Sequence, residues 1–357
     1  MSIGSGVGLV VGGVIGYVIG GPAGALEGAF IGMGVGGGIQ MLVDPIEPNV
    51  AKPDPAQLAA PTAHEGAPIA DALGLVQMSG NFIWYCCPWT KKIKEDSGGK
   101  GGGGGKVVKG YKYYLSFAIG LCRGPVDVLY CIYEDDKLLW EGPLSLSDAT
   151  YGHVTISVED RGEIDFYFGT TDQVADSFMS GKTEYALPYK GICYAVFRDF
   201  MIGKYNRVGR FKFLIKKRPA YSFDSYQNIG DYNYNPAHAL YHLLATDVGL
   251  SDDQIDDQSF SDAADTLHTE QLGVSVPMKM EKPLIRYIES ICQHIRACLY
   301  VNAAGKIALR LYRKDVETEN MLIIDENDVL EEIGIERQSM IDAKNEVQVR
   351  TNTITEE

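Results

Sequence analysis

The chain has 357 residues and a formal net charge of -15, with 32 Lys+Arg against 47 Asp+Glu. That length suits two or three domains. The charge argues against a general nucleic-acid binder, which would show a basic surface; an acidic lining suits a polyanion sliding past without sticking.

Residues 1–43 open the chain with a repeat. Gly4, Gly8, Gly12, Gly16, Gly20, Gly24, Gly28, Gly32 and Gly36 fall at every fourth position, and Glu27 is the only charged residue before Asp44. Residues four apart share a helix face. The pattern therefore draws a glycine groove between aliphatic ridges, the arrangement that lets helix backbones approach closely. Each glycine costs about 1 kcal/mol relative to alanine in a helix interior, so such helices need copies of themselves, a partner or lipid around them. Gly20-Gly21-Pro22 divides the stretch into two predicted helices, 3–19 and 23–43. The absence of a basic start and the length of the apolar run argue against a secretory signal peptide. A transmembrane hairpin is the plain alternative.

Residues 44–70 hold Pro45, Pro48, Pro53, Pro55, Pro61 and Pro68 and read as an extended linker. Globular structure begins near Ala70. Leu75 to Tyr85 is strand-like around Gly80-Asn81. Ser97 to Lys106 is glycine-rich but not a phosphate loop: Lys100 stands where glycine is needed and Val107 where a hydroxyl is needed. It reads as a flexible hairpin tip, and its lysines make it the most basic patch of the chain. Tyr111–Leu121, Val126–Tyr133, Lys137–Trp140, Val154–Val158, Ile164–Phe168, Gly191–Phe197 and Arg210–Lys216 are further predicted strands. Short strands with polar turns indicate an antiparallel barrel or sandwich.

After Pro219 the texture changes. Asn235-Pro236 predicts a capped helix start running to about Thr246. Helices over Ser259–Leu267 and Lys282–Ala297 follow, then a strand pair, Cys298–Asn302 and Lys306–Tyr312. The chain thus reads as mainly β with an α+β insertion: glycine-zipper helices 1–43, linker 44–70, a β-barrel domain 71–220, an α+β unit 221–315, and strands over 316–357 returning to the barrel.

Few residues suggest chemistry. His238 and His242 have the i,i+4 spacing of a zinc pair, but Ala239 stands where a metalloprotease has its glutamate. Asp252, Asp253, Asp256, Asp257 and Asp262 lack the order of a calcium loop and read as a solvated acidic face. No nucleophile motif appears. Seven cysteines without a framework predict buried free thiols in a reducing compartment. No catalytic residue, metal or cofactor is expected.

Several blocks resemble the baseplate hub and tail-tip attachment proteins of long-tailed (siphovirus-like) bacteriophages and gene transfer agents. Tyr111 to Arg123 followed by Gly124-Pro125 resembles that family's strand ending in Gly-Pro. Gly169-Thr-Thr-Asp-Gln173 with Asp176, Pro188-Tyr189-x-Gly191 with Tyr194 and Phe197, Asn206-Arg207, and Phe211-x-Phe213 resemble its next block. Asn235-Pro236-Ala237, Gly305-Lys306-Ile307 and Asn345-Glu346-Val347 resemble its inserted domain and the return to the barrel. Two features depart from the family: Tyr205 and Gly209 flank Asn206-Arg207 where Gly and Pro are usual, and relatives often continue into fibronectin-like and fibre domains whereas this sequence ends at Glu357. The resemblance covers about 73–350. It implies tail-tube-like β-barrel hub domains and a structural role, closing the distal end of the tail tube. It also implies a homotrimer, neighbours among the distal tube ring proteins and the tape-measure protein, and DNA passing without specific binding. The resemblance leaves the role of residues 3–43 open; from their glycine packing they are expected to form a sheltered plug in the tail lumen that can pass into the host membrane on opening. The rival readings are a bilayer-anchored envelope protein with a β-rich soluble domain, and a cell-wall hydrolase.

Overall fold

The computed structural model describes residues 68–96, 106–184, 186–205, 207–218, 228–279 and 282–313. The glycine-zipper helices, nearly all of the linker, the glycine-rich tip, Asn206 and the strands expected over 316–357 lie outside them. The described residues before Arg313 belong to one compact unit, Met1–Tyr312.

The first part of the unit is β1 (Asp71–Met78), β2 (Asn81–Asp96), β3 (Lys106–Arg123), β4 (Val128–Glu134), β5 (Lys137–Ser145), β6 (His153–Val158), β7 (Gly162–Tyr167), a one-turn helix α1 (Ser177–Ser180), β8 (Ile192–Gly203) and β9 (Phe211–Lys217). The second part is β10 (Asn228–Ile229), β11 (Asn233–Tyr234), α2 (Pro236–His242), α3 (Asp257–Thr269), β12 (Val276–Met278), α4 (Leu284–Ile295), β13 (Ala297–Val301) and β14 (Ile307–Leu311). Helix α2 runs on as a π-helix over Leu243–Val248.

Two five-stranded antiparallel sheets carry the first part, ordered β12-β1-β9-β4-β5 and β2-β3-β8-β7-β6. The expected barrel is corrected here: no closed barrel forms among the described residues. Closure needs every edge paired, and β12, β5, β2 and β6 each end a sheet. Pro143 within β5 has no N–H to offer a further strand, and β2 pairs with β3 through three register shifts. The sheets instead pack face to face as a sandwich.

Alternation builds that sandwich. Leu115, Phe117, Ile119 and Leu121 of β3 face inward with Phe197 and Phe200 of β8, and meet Phe211, Phe213 and Ile215 of β9 from the other sheet. Phe117 and Phe197 are cross-strand partners with rings stacked 4.3 Å apart. The outer face of the second sheet holds Ala118, Tyr194 and Val196, covered by Phe178, Met179 and Tyr189.

The α+β unit has its own core of Leu240, Leu243, Phe260, Ala263, Ala264, Leu267, Ile288, Ile291 and Ile295. Asn235 caps α2 as expected: its Oδ1 accepts from Ala237 N at 3.1 Å and its Nδ2 donates to Ala264 O at 3.0 Å, tying α2 to α3. Strand β1 serves both cores. Ala72, Val76 and Met78 face the sandwich, whereas Leu73 packs with the α+β unit. Burial on both faces explains why Asp71–Gly74 is buried without alternation. Among the described residues no helix is long and apolar enough to cross a membrane.

The thiols are all free. Cys122, Cys193 and Cys292 are buried as expected, but Cys87 is exposed, and Cys86, Cys131 and Cys298 are half-buried. Burial is the main cause pushing the Cys86 thiol up to about 12.

Candidate functional site

Strand β3 ends at Arg123, and two polar assemblies meet there. One is neutral and gathers the family-motif residues. The other is ionic and joins the sandwich to the α+β unit.

The neutral assembly centres on Gln173, which is fully buried. Its Oε1 accepts from Gly169 N at 3.1 Å, and its Nε2 lies within donating distance of Pro188 O at 3.0 Å, Tyr189 O and Ile192 O at 3.1 Å. Around it, Gly124 N donates to Gly191 O at 2.8 Å, Gly191 N to Thr170 O at 3.1 Å, and Val126 N to Phe168 O at 2.8 Å. Gly124 and Gly169 touch backbone to backbone: a Cβ on Gly124 would lie 2.3 Å from Gly169 O, and Gly169 has φ +85°. Only glycine fits such an approach. The motif residues Gly124, Pro125, Gln173, Tyr189 and Gly191, dispersed in sequence, thus become one lock on the crossing loops. Beside this neutral lock sits a buried carboxylate, Asp176, its Oδ1 accepting from Met179 N at 2.7 Å to cap α1 and its Oδ2 accepting from Tyr167 OH at 3.0 Å. Arg207 is not part of it. Its side chain is exposed, 3.5 Å from Asp135, and such a surface pair contributes little.

The ionic assembly consists of Asp71 from β1, Arg123 from β3, Lys217 from β9, and His242 and Asp247 from the second part. Arg123 Nη2 lies 3.1 Å from Asp71 Oδ2 and 2.7 Å from Asp247 Oδ1. Lys217 Nζ pairs with Asp71 Oδ1 and donates to Arg123 O at 2.9 Å. The contacts of Arg123 Nη2 are close but poorly directed, since neither it nor Nε makes an aligned hydrogen bond; they act through charge. Burial is the main cause holding the His242 imidazole below its usual range.

The ligand atoms of Asp71, His242 and Asp247 lie within 4.8 Å of one another, as a metal site would require. Here two carboxylates face two cations and a histidine that burial keeps neutral, so the charges cancel without a metal, and Arg123 occupies the bridging position. The i,i+4 partner His238 is not among these residues; it is buried in the α+β unit, its ring 6.1 Å from that of Tyr234. Of this cluster only His242 stood out in the sequence. Asp71, Arg123, Lys217 and Asp247 come from four separate stretches, and no spacing pointed to them.

The acidic stretch after Asp247 is the exposed face expected of it except at Asp256, which is half-buried and accepts from Asn302 Nδ2 at 2.9 Å. Asp252, Asp253, Asp257, Asp262 and Asp265 are exposed. Tyr241 OH donates to Asp257 Oδ1 at 2.9 Å and Gln258 Nε2 to Asp262 Oδ1 at 2.7 Å.

No protein-family model and no curated protein matches the chain. Among solved structures, a chain of the virion of a native gene transfer agent particle is similar, with 17% identity and a TM-score of 0.44. That alignment covers 80% of this chain and 64% of the other, so the chain spans less than two thirds of it.

Proposed function

We propose that the chain is a structural subunit of the tail tip of a bacteriophage-like particle, a hub that closes the distal end of the tail tube. The observation that carries this reading is the lock around Gln173. Gly124, Gln173 and Gly191, three of the residues through which the sequence resembles tail-tip hub proteins, spend their hydrogen bonds on the chain's own backbone. They hold shape and offer no group to a substrate. The ionic assembly is likewise charge-balanced within itself. A structural hub accounts for both; a hydrolase would need an acid or base left available to substrate.

In this reading three copies form the hub against the distal tube ring proteins, and DNA passes without specific binding. Residues 3–43 lie within the lumen, sheltered by each other or by the tape-measure protein, and enter the host membrane when the tube opens. Bilayer allows a close-packed helix bundle but no unpaired backbone. Gly12→Leu with Gly16→Leu would overpack that bundle. Particles carrying both are expected to assemble poorly, or to adsorb normally and fail to deliver DNA; wild-type infectivity would reduce the segment to apolar filler.

Negative-stain imaging of the purified full chain tests the hub reading. Three-fold rings are expected. Isolated subunits at every concentration, combined with a hydrolytic turnover that one carboxylate-to-amide change abolishes, would replace it with the enzyme reading.

A further inference from the structure

The β2–β3 hairpin is a lysine-rich arm whose first strand ends in Glu95 and Asp96. Residues 82–94 and 108–123 contain no carboxylate, and hold Lys91, Lys92, Lys94, Lys109 and Lys112. The first four are exposed. Strand β2 is the edge of its sheet, with its outer side unpaired by any strand among the described residues. The exposed Trp89 and Tyr85 lie on the same arm, Trp89 stacked on Tyr114 at 3.9 Å. A long edge strand with exposed aromatics is ordinarily a liability, and lysines are one device that guards it.

The α+β unit has the opposite charge. From Pro219 to Met278 there are ten carboxylates and no lysine or arginine. On α3, Phe260, Ala263, Ala264 and Leu267 turn into the core, which leaves Asp262 and Asp265 outward, with Glu270 exposed just beyond the helix. No ion pair among the described residues joins Lys91, Lys92 or Lys94 to these carboxylates.

Geometry keeps the two surfaces apart within one chain. Asp247 of the acidic stretch is held by Arg123, at the last residue of β3. The lysines lie toward the other end of β3 and its partner β2. The β2 lysines pair with β3 between Val108 and Lys112, 11 to 15 residues from Arg123, roughly 36–50 Å of extended chain at about 3.3 Å per residue. Attraction between the ends of one molecule is therefore satisfied by another. We propose that the lysine arm of one copy docks on the acidic α3 face of a second copy of this chain. The contact is head-to-tail, so it propagates from copy to copy and closes into a ring where the rotation per copy permits. It rests on charge placement and stands apart from the hub reading, which particle imaging tests separately.

Two reversals and their combination test it in the full chain, solubilised in mild non-ionic detergent. Lys91→Glu, Lys92→Glu and Lys94→Glu make the arm negative; Asp262→Lys, Asp265→Lys and Glu270→Lys make the face positive. All are exposed, and circular dichroism checks that each variant folds. Carbodiimide coupling on an equal mixture of isotopically labelled and unlabelled chains reads the contact directly. Wild type is expected to give crosslinks between copies from Lys91, Lys92 or Lys94 to Asp262 or Asp265. Each triple reversal is expected to weaken association at least ten-fold by sedimentation, and the chain carrying both reversals to associate again. The proposal is overturned if wild type gives no such crosslink, if either reversal leaves association unchanged, or if the doubly reversed chain stays dissociated. It is equally overturned if the arm binds phosphatidylserine vesicles or DNA while the chain remains monomeric, which would make the partner a different polyanion.

Discussion

The β sandwich and the α+β unit solve the packing problem with different residues. The sandwich stacks Phe117, Phe197, Phe200, Phe211 and Phe213 between two sheets. The α+β unit brings helices together over small residues, with Ala263 and Ala264 of α3 facing Leu240 and Leu243. They differ again in how polar groups are buried. The sandwich is fixed at the end of β3 by the uncharged Gln173 lock, whereas the seam with the α+β unit carries Asp71, Arg123, Lys217 and Asp247. A neutral lock with each bond made resists changes of pH and salt. A charged seam depends on every member keeping its charge, because one buried ion without its partner is costly. The sandwich buries charge as well, Asp165 of β7 beside Arg198 of β8 with its carboxyl pushed up chiefly by burial, so the contrast holds at the end of β3 and not for the sandwich as a whole.

That contrast can be broken most severely in the sandwich. Phe117→Ala removes a fully buried ring touching Phe82, Phe197 and Phe211, at an expected cost of about 4 kcal/mol. Chemical denaturation should show the whole cooperative transition shifting. Arg123→Met comes next. It leaves Asp71 and Asp247 facing each other with Lys217 and the His242 imidazole beside them, an expected loss of about 3 kcal/mol. Limited proteolysis should then release the α+β unit before the sandwich is cut. Joint loss of both parts would show that the seam and the sandwich are one cooperative element.

Gln173→Leu keeps volume but strands Gly169 N and the carbonyls of Pro188 and Ile192, costing about 2 kcal/mol. Hydrogen exchange should rise at 169–192 and stay unchanged in α2 and α3. The smallest effect is the pH response of the seam. The His242 imidazole is held below its unfolded value, chiefly by burial. The unfolded chain thus binds a proton first as pH falls, so stability is complete above about pH 6.5 and is lost progressively below it, down to the folded pKa. The melting temperature should fall between pH 7.5 and pH 5, and His242→Gln should flatten that fall. An equal slope in both proteins would assign the response to other groups.

Much of the fold was legible because alternation is a local signal. Tyr111–Leu121, Val154–Val158, Ile164–Phe168 and Arg210–Lys216 all lie within or overlap strands found in the structure, and Asn235-Pro236 opens a helix. Barrel closure was not legible. Which edges pair depends on strand order, and no residue of β2 or β6 announces that each will end a sheet. The helix from Pro236 runs past Thr246 to Val248, as a π-helix that periodicity does not distinguish. The motif residues were visible one block at a time, but their convergence on Gln173 needed the fold. The ionic seam was invisible for a plainer reason: Asp71 and Asp247 are 176 positions apart, and an isolated aspartate in a sequence carries no mark of its partner.

The proposed role is that of a structural hub at the tip of a tail. Electron microscopy of intact tails carrying an epitope tag after Glu357 tests it most directly. Label is expected at the distal end only, with three copies per tail by quantitative mass spectrometry, and tubes left open when the chain is deleted. Label along the tube, or full-length closed tails from which the chain is absent, would contradict it.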